Sequence, residues 1–269
     1  MKNNYFNIEA NSELELNIIK VGHGNWNEIR SGKTRIFYDT GADKRWRQLS
    51  IRDLIDTMDI RNDHDIHIVI SHWDVDHYHA LLEFESKHFK RIKSIIAPSN
   101  PPKTNTCTNV IQLLKLNNVH LEFIKPVSVS NGPLKEIKLG LYRFDNIIDV
   151  YRATNTKNRN QGGIVLLVKG KNCDALLTGD HHYSKLYKYI LNGYSNNDKP
   201  LIFITPHHGG YAGKWDINNW KQLNIREVAI SYCQSNPYNH PTRDNLSKLI
   251  TLNNGNVSCT TRRTLNYLL

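Results

Sequence analysis

Short runs of β-branched and aliphatic residues recur along this chain, with segments of helical spacing between them. Strands are predicted over 14–21, 34–38, 66–70, 94–97, 119–124, 139–144, 164–168, 175–177, 201–204 and 227–232. Residues 256–269 read as one or two closing strands. Helical spacing places helices over 46–58, 80–89, 110–116, 184–191 and 244–252. Asn131-Gly132-Pro133 reads as a turn, and the Asn196-Asn197 and Asn253-Asn254 patches as loops. Strands that interleave with helices in this way must be covered by them, which predicts α/β layering.

The chain has 269 residues, enough to bury a sizeable core in one large α/β domain or two small ones. A hydrophobic content of 39% and a mean hydropathy of −0.54 describe a soluble protein. No apolar run approaches the ~20 residues a membrane helix needs. The opening Met1-Lys2-Asn3-Asn4-Tyr5 lacks the apolar core of a signal peptide, so a cytoplasmic protein with no membrane partner is expected. Cys107, Cys173, Cys233 and Cys259 form no CxxC pair and read as reduced thiols. The formal charge of +10 favours phosphate polymers and other anions as partners.

The densest chemistry is Ser71-His72-Trp73-Asp74-Val75-Asp76-His77, directly after the apolar run ending at Ile70. His72 and Asp74 are two apart, so an extended backbone points both to one side, and Asp76 joins them if the extension persists. His77 turns away unless the chain bends there. With a bend, all four can converge on a metal pair. Imidazole and carboxylate are the donors expected for Zn²⁺ or Mn²⁺, and the acid at Asp74 makes the set more oxygen-rich.

Three further polar clusters also follow apolar strands. Asp180 follows 175–177, His207 and His208 follow 201–204, and His240 follows 227–232 at a short distance. Side chains at strand ends can meet at one rim of a sheet, where sites commonly sit. Asp39 closes the strand 34–38, either as a turn acid or as a carboxylate held behind a metal site.

Taken together, these segments resemble the metallo-β-lactamase fold. His72-Trp73-Asp74-Val75-Asp76-His77 is similar to its HxHxDH signature in an HxDxDH variant. Val21-Gly22-His23-Gly24-Asn25 resembles VGQGD, and Asp39-Thr40-Gly41 resembles DTG. Leu177-Thr178-Gly179-Asp180 is similar to LTGD, and Pro206-His207-His208-Gly209 to the HHG element. Ser231 to Asn236, Tyr238, His240 and Pro241 resemble S-x-x-x-x-N-x-Y-x-H-P. This set, in this order, is that of the ComEC-like subgroup, named for a domain of the bacterial competence DNA-uptake channel. The chain departs from the pattern at His23, where Gln is usual, and at Asn25, where Asp is usual. It departs again at Tyr78-His79-Ala80, and at Gly162-Gly163 before the strand 164–168. No isolated His precedes that strand, so the third-motif histidine of ordinary relatives has no counterpart, and a weakly held second metal is expected.

The resemblance implies a single domain over residues 1–269, folded as a four-layer αββα sandwich with two divalent metal ions, Zn or Mn. It would give His72 and Asp74 to one metal and Asp76 and His77 to the other. Asp180 would bridge them, and His207 rather than His208 would complete a shell. His240 would act on the substrate as a phosphate contact or general acid, and Asp76 would orient the nucleophile. The implied reaction is cleavage of phosphodiester bonds by a metal-activated hydroxide. Nucleic acid is the first substrate class. A small cyclic nucleotide is the second, and a non-catalytic basic binding module is the alternative without chemistry.

Overall fold

The computed structural model describes residue 8 and residues 13–58, 60, 63–127, 137–144, 146–154, 156–194 and 199–269. The turn expected at Asn131-Gly132-Pro133 and the loop at Asn196-Asn197 lie outside the described residues. No helix among the described residues is long and apolar enough to cross a membrane.

Two seven-stranded sheets form the centre of the molecule. The first comprises β1 (Glu15–Ile18), β2 (Asn27–Ser31), β3 (Thr34–Tyr38), β4 (Asp65–Val69), β5 (Ile92–Pro98), β6 (Leu121–Ile124) and the last strand, β14 (Leu265–Leu268). Its order is β14-β1-β2-β3-β4-β5-β6. The second comprises β7 (Leu139–Phe144), β8 (Ile148–Ala153), β9 (Ile164–Lys169), β10 (Asp174–Leu177), β11 (Leu201–Ile204), β12 (Ile225–Ile230) and β13 (Val257–Cys259), in the order β13-β12-β11-β10-β9-β8-β7. Each sheet is antiparallel over half its width and parallel over the other half. In the first, pairing is antiparallel from β14 to β3 and parallel from β3 to β6. In the second it is antiparallel from β7 to β10 and parallel from β10 to β13. β9 and β10 form the expected hairpin.

Strand alternation sorts the side chains into layers. Ile36, Tyr38 and Val69 meet Ile164, Leu166, Leu177 and Ile204 in the core between the sheets. Their neighbours Phe37, Ile66, Ile68 and Ile70 point outward, beneath Ile51 and Ile55 of helix α1 (Gln48–Thr57). A one-turn helix α2 (Ser86–Phe89) follows, and then α3 (Asn105–Leu116), which covers the same face with Val110 and Leu114. On the far face of the second sheet, Val165, Leu167, Leu176, Phe203 and Val228 lie under α4 (Tyr183–Leu186), α5 (Ile217–Trp220) and α6 (Arg243–Leu252). The expected αββα sandwich is therefore present. Burying each such aliphatic side chain contributes roughly 1.5–3 kcal/mol, which makes these three apolar layers the main source of cohesion.

Five elements differ from the sequence reading, among them α5, which it did not contain. β2 and β8 are additional strands, each rich in polar residues. The segment 80–89 is a 3₁₀ turn over His79–Glu83 followed by α2, not one continuous helix. After α4, Tyr187–Leu191 winds as a π-helix.

Candidate metal centre

The parallel strands of both sheets send their C-terminal ends to one rim of the sandwich, and the polar motifs emerge there. β3 ends at Asp39, whose backbone takes the left-handed conformation (φ 64°). The fully buried Asp39 carboxylate gathers four donors: the Ser71 amide at 2.6 Å, the Ser71 hydroxyl at 2.8 Å, the Asn25 amide group at 2.7 Å and His77 Nδ1 at 2.7 Å. Asn25 is itself fixed, because Asn27 Nδ2 donates to its side-chain oxygen at 3.0 Å.

After β4 the chain runs extended through His72 and then bends. A 3₁₀ turn at Val75–His77 brings His77 back beside His72, with ring centroids 4.0 Å apart. His77 Nε2 lies 3.3 Å from Asp180 Oδ1, and His72 Nε2 lies 3.6 Å from Asp180 Oδ2. His72, His77 and Asp180, all buried, form the first donor group. The second joins His23, Asp76 and His208. His208 Nε2 is 3.8 Å from Asp76 Oδ2, and the His23 and His208 rings are 4.4 Å apart.

The donors are thus divided differently from the expected pairing. His77 joins His72 rather than Asp76, because the backbone turns between them. Asp74 stays outside both groups. One of its oxygens is 3.5 Å from His72 Nε2, but the other pairs with Arg159 at 3.3 Å. Of the two adjacent histidines, His208 enters a donor group. His207 remains beside it, half-exposed, with Nε2 3.7 Å from Asp180 Oδ2 and Nδ1 against the Tyr211 carbonyl at 3.1 Å. Both oxygens of Asp180 face the first group and His207. His240 lies over the second group, with its ring 5.5 Å from that of His23 and 4.8 Å from that of His207. The side chain of Asn236 places it, accepting from the His240 amide at 3.0 Å and donating to its carbonyl at 2.5 Å.

His23 is the donor that sequence reasoning passed over. It sits in the loop after β1, at the position where the motif that residues 21–25 resemble has Gln. A metal-capable residue replacing an amide within a matched strand-end motif was the signal available. The His23 amide donates to Asp43 at 3.1 Å, and Arg45 binds Asp43 in turn and reaches the Ser235 carbonyl at 2.6 Å. That chain of contacts ties the first loop to the loop carrying His240.

Two kinds of observation test whether these residues suit a cation. The first is orphaned polarity. His72 Nε2, His77 Nε2, Asp180 Oδ1 and His208 Nε2 are buried without a hydrogen-bond partner. Such atoms are costly unless something binds them. The second is tautomer control. His77 Nδ1 faces Asp39, and His208 Nδ1 faces the Ser231 carbonyl at 2.7 Å. The Ser71 hydroxyl, directed at Asp39, leaves its oxygen to accept from His72 Nδ1 at 3.0 Å. In each ring Nδ1 is turned towards the protein, which leaves Nε2 as the atom directed inward, where a cation would be bound.

The electrostatics agree with this. Burial, reinforced by His208, drives the His23 pKa down to about 3. Burial also lowers that of His208, against the pull of Asp180 and Asp76. Burial opposes charge on Asp76, but His77, His208 and Lys44 outweigh it and hold the carboxyl at about 2. The second group therefore offers two neutral imidazoles, His23 and His208, beside the ionised Asp76 carboxylate, and imidazole with carboxylate is the donor set of zinc and manganese sites.

No protein-family model matches the chain. No curated protein matches it in sequence. Solved structures do match in shape. The metallo-beta-lactamase fold protein YhfI from Bacillus subtilis is 12% identical, covers 94% of this chain and 99% of its own, and superposes with a TM-score of 0.53. Tm1679, described as a metal-dependent hydrolase of the beta-lactamase superfamily, is 10% identical over 95% of this chain and 99% of its own, with a TM-score of 0.57. The short form of human tRNase Z is 11% identical over 94% and 98%, with a TM-score of 0.50. At such identities the likeness establishes the fold alone: the chain has the metallo-β-lactamase fold.

Proposed function

We propose that this protein is a metal-dependent hydrolase that cleaves phosphodiester bonds, with nucleic acid as its substrate. The observation that carries the reading is the pair of His/Asp donor groups at one rim, with buried polar atoms directed inward and no hydrogen-bond partner for them among the described residues. A formal charge of +10 suits a polyanion, and the ordered strand-end motifs resemble those of the ComEC-like subgroup. That one fold neighbour is a tRNase agrees with the reading without carrying it.

His72, His77 and Asp180 would hold one divalent ion, and His23, Asp76 and His208 the other. When bound, the ions would supply Lewis-acid activation of water and of the phosphoryl oxygens. The remaining steps belong to the chain's own residues. Asp39 holds His77 in one tautomer. Lys44, 3.5 Å from Asp76, steadies that carboxylate as an anion. His240, which burial together with His207 and His208 brings down to about 4, is neutral at physiological pH. It would take the proton that the attacking water gives up at the substrate's edge and pass it to the leaving oxygen.

The test is a metal screen with Zn²⁺ and Mn²⁺ against single-stranded DNA, duplex DNA, RNA and cyclic nucleotides, run beside Asp180→Ala and Asp76→Ala. Turnover that both substitutions abolish, and that weakens steeply with salt, is expected for a polymer substrate. Turnover insensitive to both substitutions would sink the proposal. Turnover restricted to cyclic nucleotides, with a shallow salt dependence, would move the substrate to the small-molecule class.

A further inference from the structure

Strand β8 carries an anomaly that the metal centre does not use. Its alternation sends Ile148 and Val150 into the core between the sheets, and Arg152 continues that face. Arg152 is only 4% exposed. Its Nε and one terminal nitrogen have no hydrogen-bond partner. Burial pulls its pKa down to about 10. A buried guanidinium without a counter-charge is costly, and a chain retains one where something else supplies the anion.

Arg152 lines a pocket of 360 Å³ whose wall includes His72 of the first donor group. Lys157, Asn158, Arg159 and Gly162 line it as well, and no Asp or Glu does among the described residues. Gly162-Gly163 lets the loop that carries Lys157 and Arg159 fold closely on itself and on Ser71 at this edge. A Cβ on Gly162 would lie 2.9 Å from Thr156 Cγ2 and 3.2 Å from the Asn158 carbonyl oxygen, and one on Gly163 3.1 Å from the Asn160 carbonyl oxygen and 3.2 Å from that of Ser71. The pocket therefore combines a desolvated cation, the exposed Lys157, Arg159 (already paired with Asp74) and a wall shared with the metal centre.

We infer that this pocket is an anion subsite that takes a second phosphate of the substrate, one position along from the bond being cut. The inference rests on the phosphodiesterase reading for its substrate and on Arg152 for its chemistry. A planar guanidinium grips two phosphate oxygens at once, and Lys157 adds charge at the rim. The subsite favours substrates with at least two phosphates over an isolated diester.

Metal-free protein titrated with inorganic phosphate, followed by calorimetry and thermal melting, tests the pocket directly. Wild type should bind phosphate and melt higher with it. Arg152→Gln should lose at least tenfold in affinity while melting no lower than wild type without phosphate, because an unpaired buried charge has gone. Lys157→Gln, an exposed change, should weaken binding more modestly. Dinucleotides with and without a 5′-phosphate separate a terminal from an internal phosphate. If the pocket takes the terminal group, the phosphorylated form has the lower KM and Arg152→Gln erases the difference; if it takes an internal one, Arg152→Gln raises the KM of a trinucleotide instead. Phosphate binding that is absent in wild type, or unchanged in Arg152→Gln, overturns the inference. Phosphate binding that depends on Arg152 in a protein that cleaves no phosphodiester would uphold the pocket and remove the functional reading instead.

Discussion

The His77 imidazole donates from Nδ1 to the Asp39 carboxylate across 2.7 Å, and both side chains are buried. Asp39 directly follows β3, and His77 closes the 3₁₀ turn that follows the neighbouring parallel strand β4, so strand pairing and that turn together set their separation. Asp39 has no route to solvent, and its other acceptor sites are filled by Ser71 and Asn25. Asp39→Asn keeps the shape but can offer only one acceptor oxygen where four donors converge. Affinity for Zn²⁺ should fall by about 10- to 100-fold, as measured by competition with a chelator. Unchanged affinity would mean that His77 is held by packing alone.

Metal loading should release a proton. Burial resists a charged His77, but Asp180 and Asp39 outweigh it and raise its pKa well above the ordinary histidine value. The metal-free ring is therefore protonated at neutral pH, and a cation at Nε2 must displace that proton. Calorimetric heats of Zn²⁺ binding at pH 7 should vary with buffer ionisation enthalpy, with a slope of about one proton. Asp180→Asn, which removes the strongest support for the imidazolium, should bring the slope towards zero. A flat dependence in wild type would contradict the assignment of His77.

Gly41 sits where the DTG turn meets the metal loop. A Cβ there would lie 1.7 Å from the Asp76 carbonyl oxygen and 2.5 Å from the His77 amide nitrogen, both backbone atoms that cannot swing aside. Gly41→Ala should therefore destabilise the protein by at least about 3 kcal/mol in denaturant melts. Gly193, with nothing within 4 Å of the equivalent position, provides the control. Equal effects of the two substitutions would show that the close approach is not maintained in solution.

What the sequence disclosed follows from how each residue is held. The central strands were legible because residues such as Ile66–Ile70 and Ile164–Val168 are buried on both faces and read as continuous apolar runs. β2 was not, because Asn27, Glu28 and Arg30 look like loop residues. Glu28 is buried against Arg35 of the paired strand, whose guanidinium bonds it directly, Asn27 is buried against Asn25, and Arg30 stays partly exposed. β8 was hidden for a related reason, with Asp149 and Arg152 interrupting its pattern. At the site, residue types were visible but grouping was not. Period-two reasoning separates His72 from His77, and only the 3₁₀ turn at Val75–His77 rejoins them. The choice between His207 and His208 depends on two successive residues in the left-handed conformation (φ 54° each), which no spacing rule anticipates.

Acid should weaken the metal-free protein, and His67 isolates one source of the effect. Its ring is buried in β4, outside the metal centre, with Nδ1 2.8 Å from the Ser94 hydroxyl. Burial, with help from Lys93 and against Asp65, lowers its pKa to about 4. The unfolded chain, near the ordinary value of about 6.5, therefore takes up a proton that the folded chain refuses. Stability from this group is fully present above pH ~6.5 and is lost as pH falls towards ~4, because the unfolded state binds more protons in that window. His23, His208 and His240 are shifted in the same direction, whereas His77 is shifted in the opposite one. The wild-type slope is thus a sum, and a substitution is needed to read one term. His67→Gln removes the titration while retaining a polar partner for Ser94. Denaturant melts of both proteins in chelator should show the variant losing roughly 2 kcal/mol less than wild type between about pH 7 and about pH 4.5. Parallel stability curves for the two proteins would mean that His67 accepts its proton in the folded state as readily as in the unfolded one.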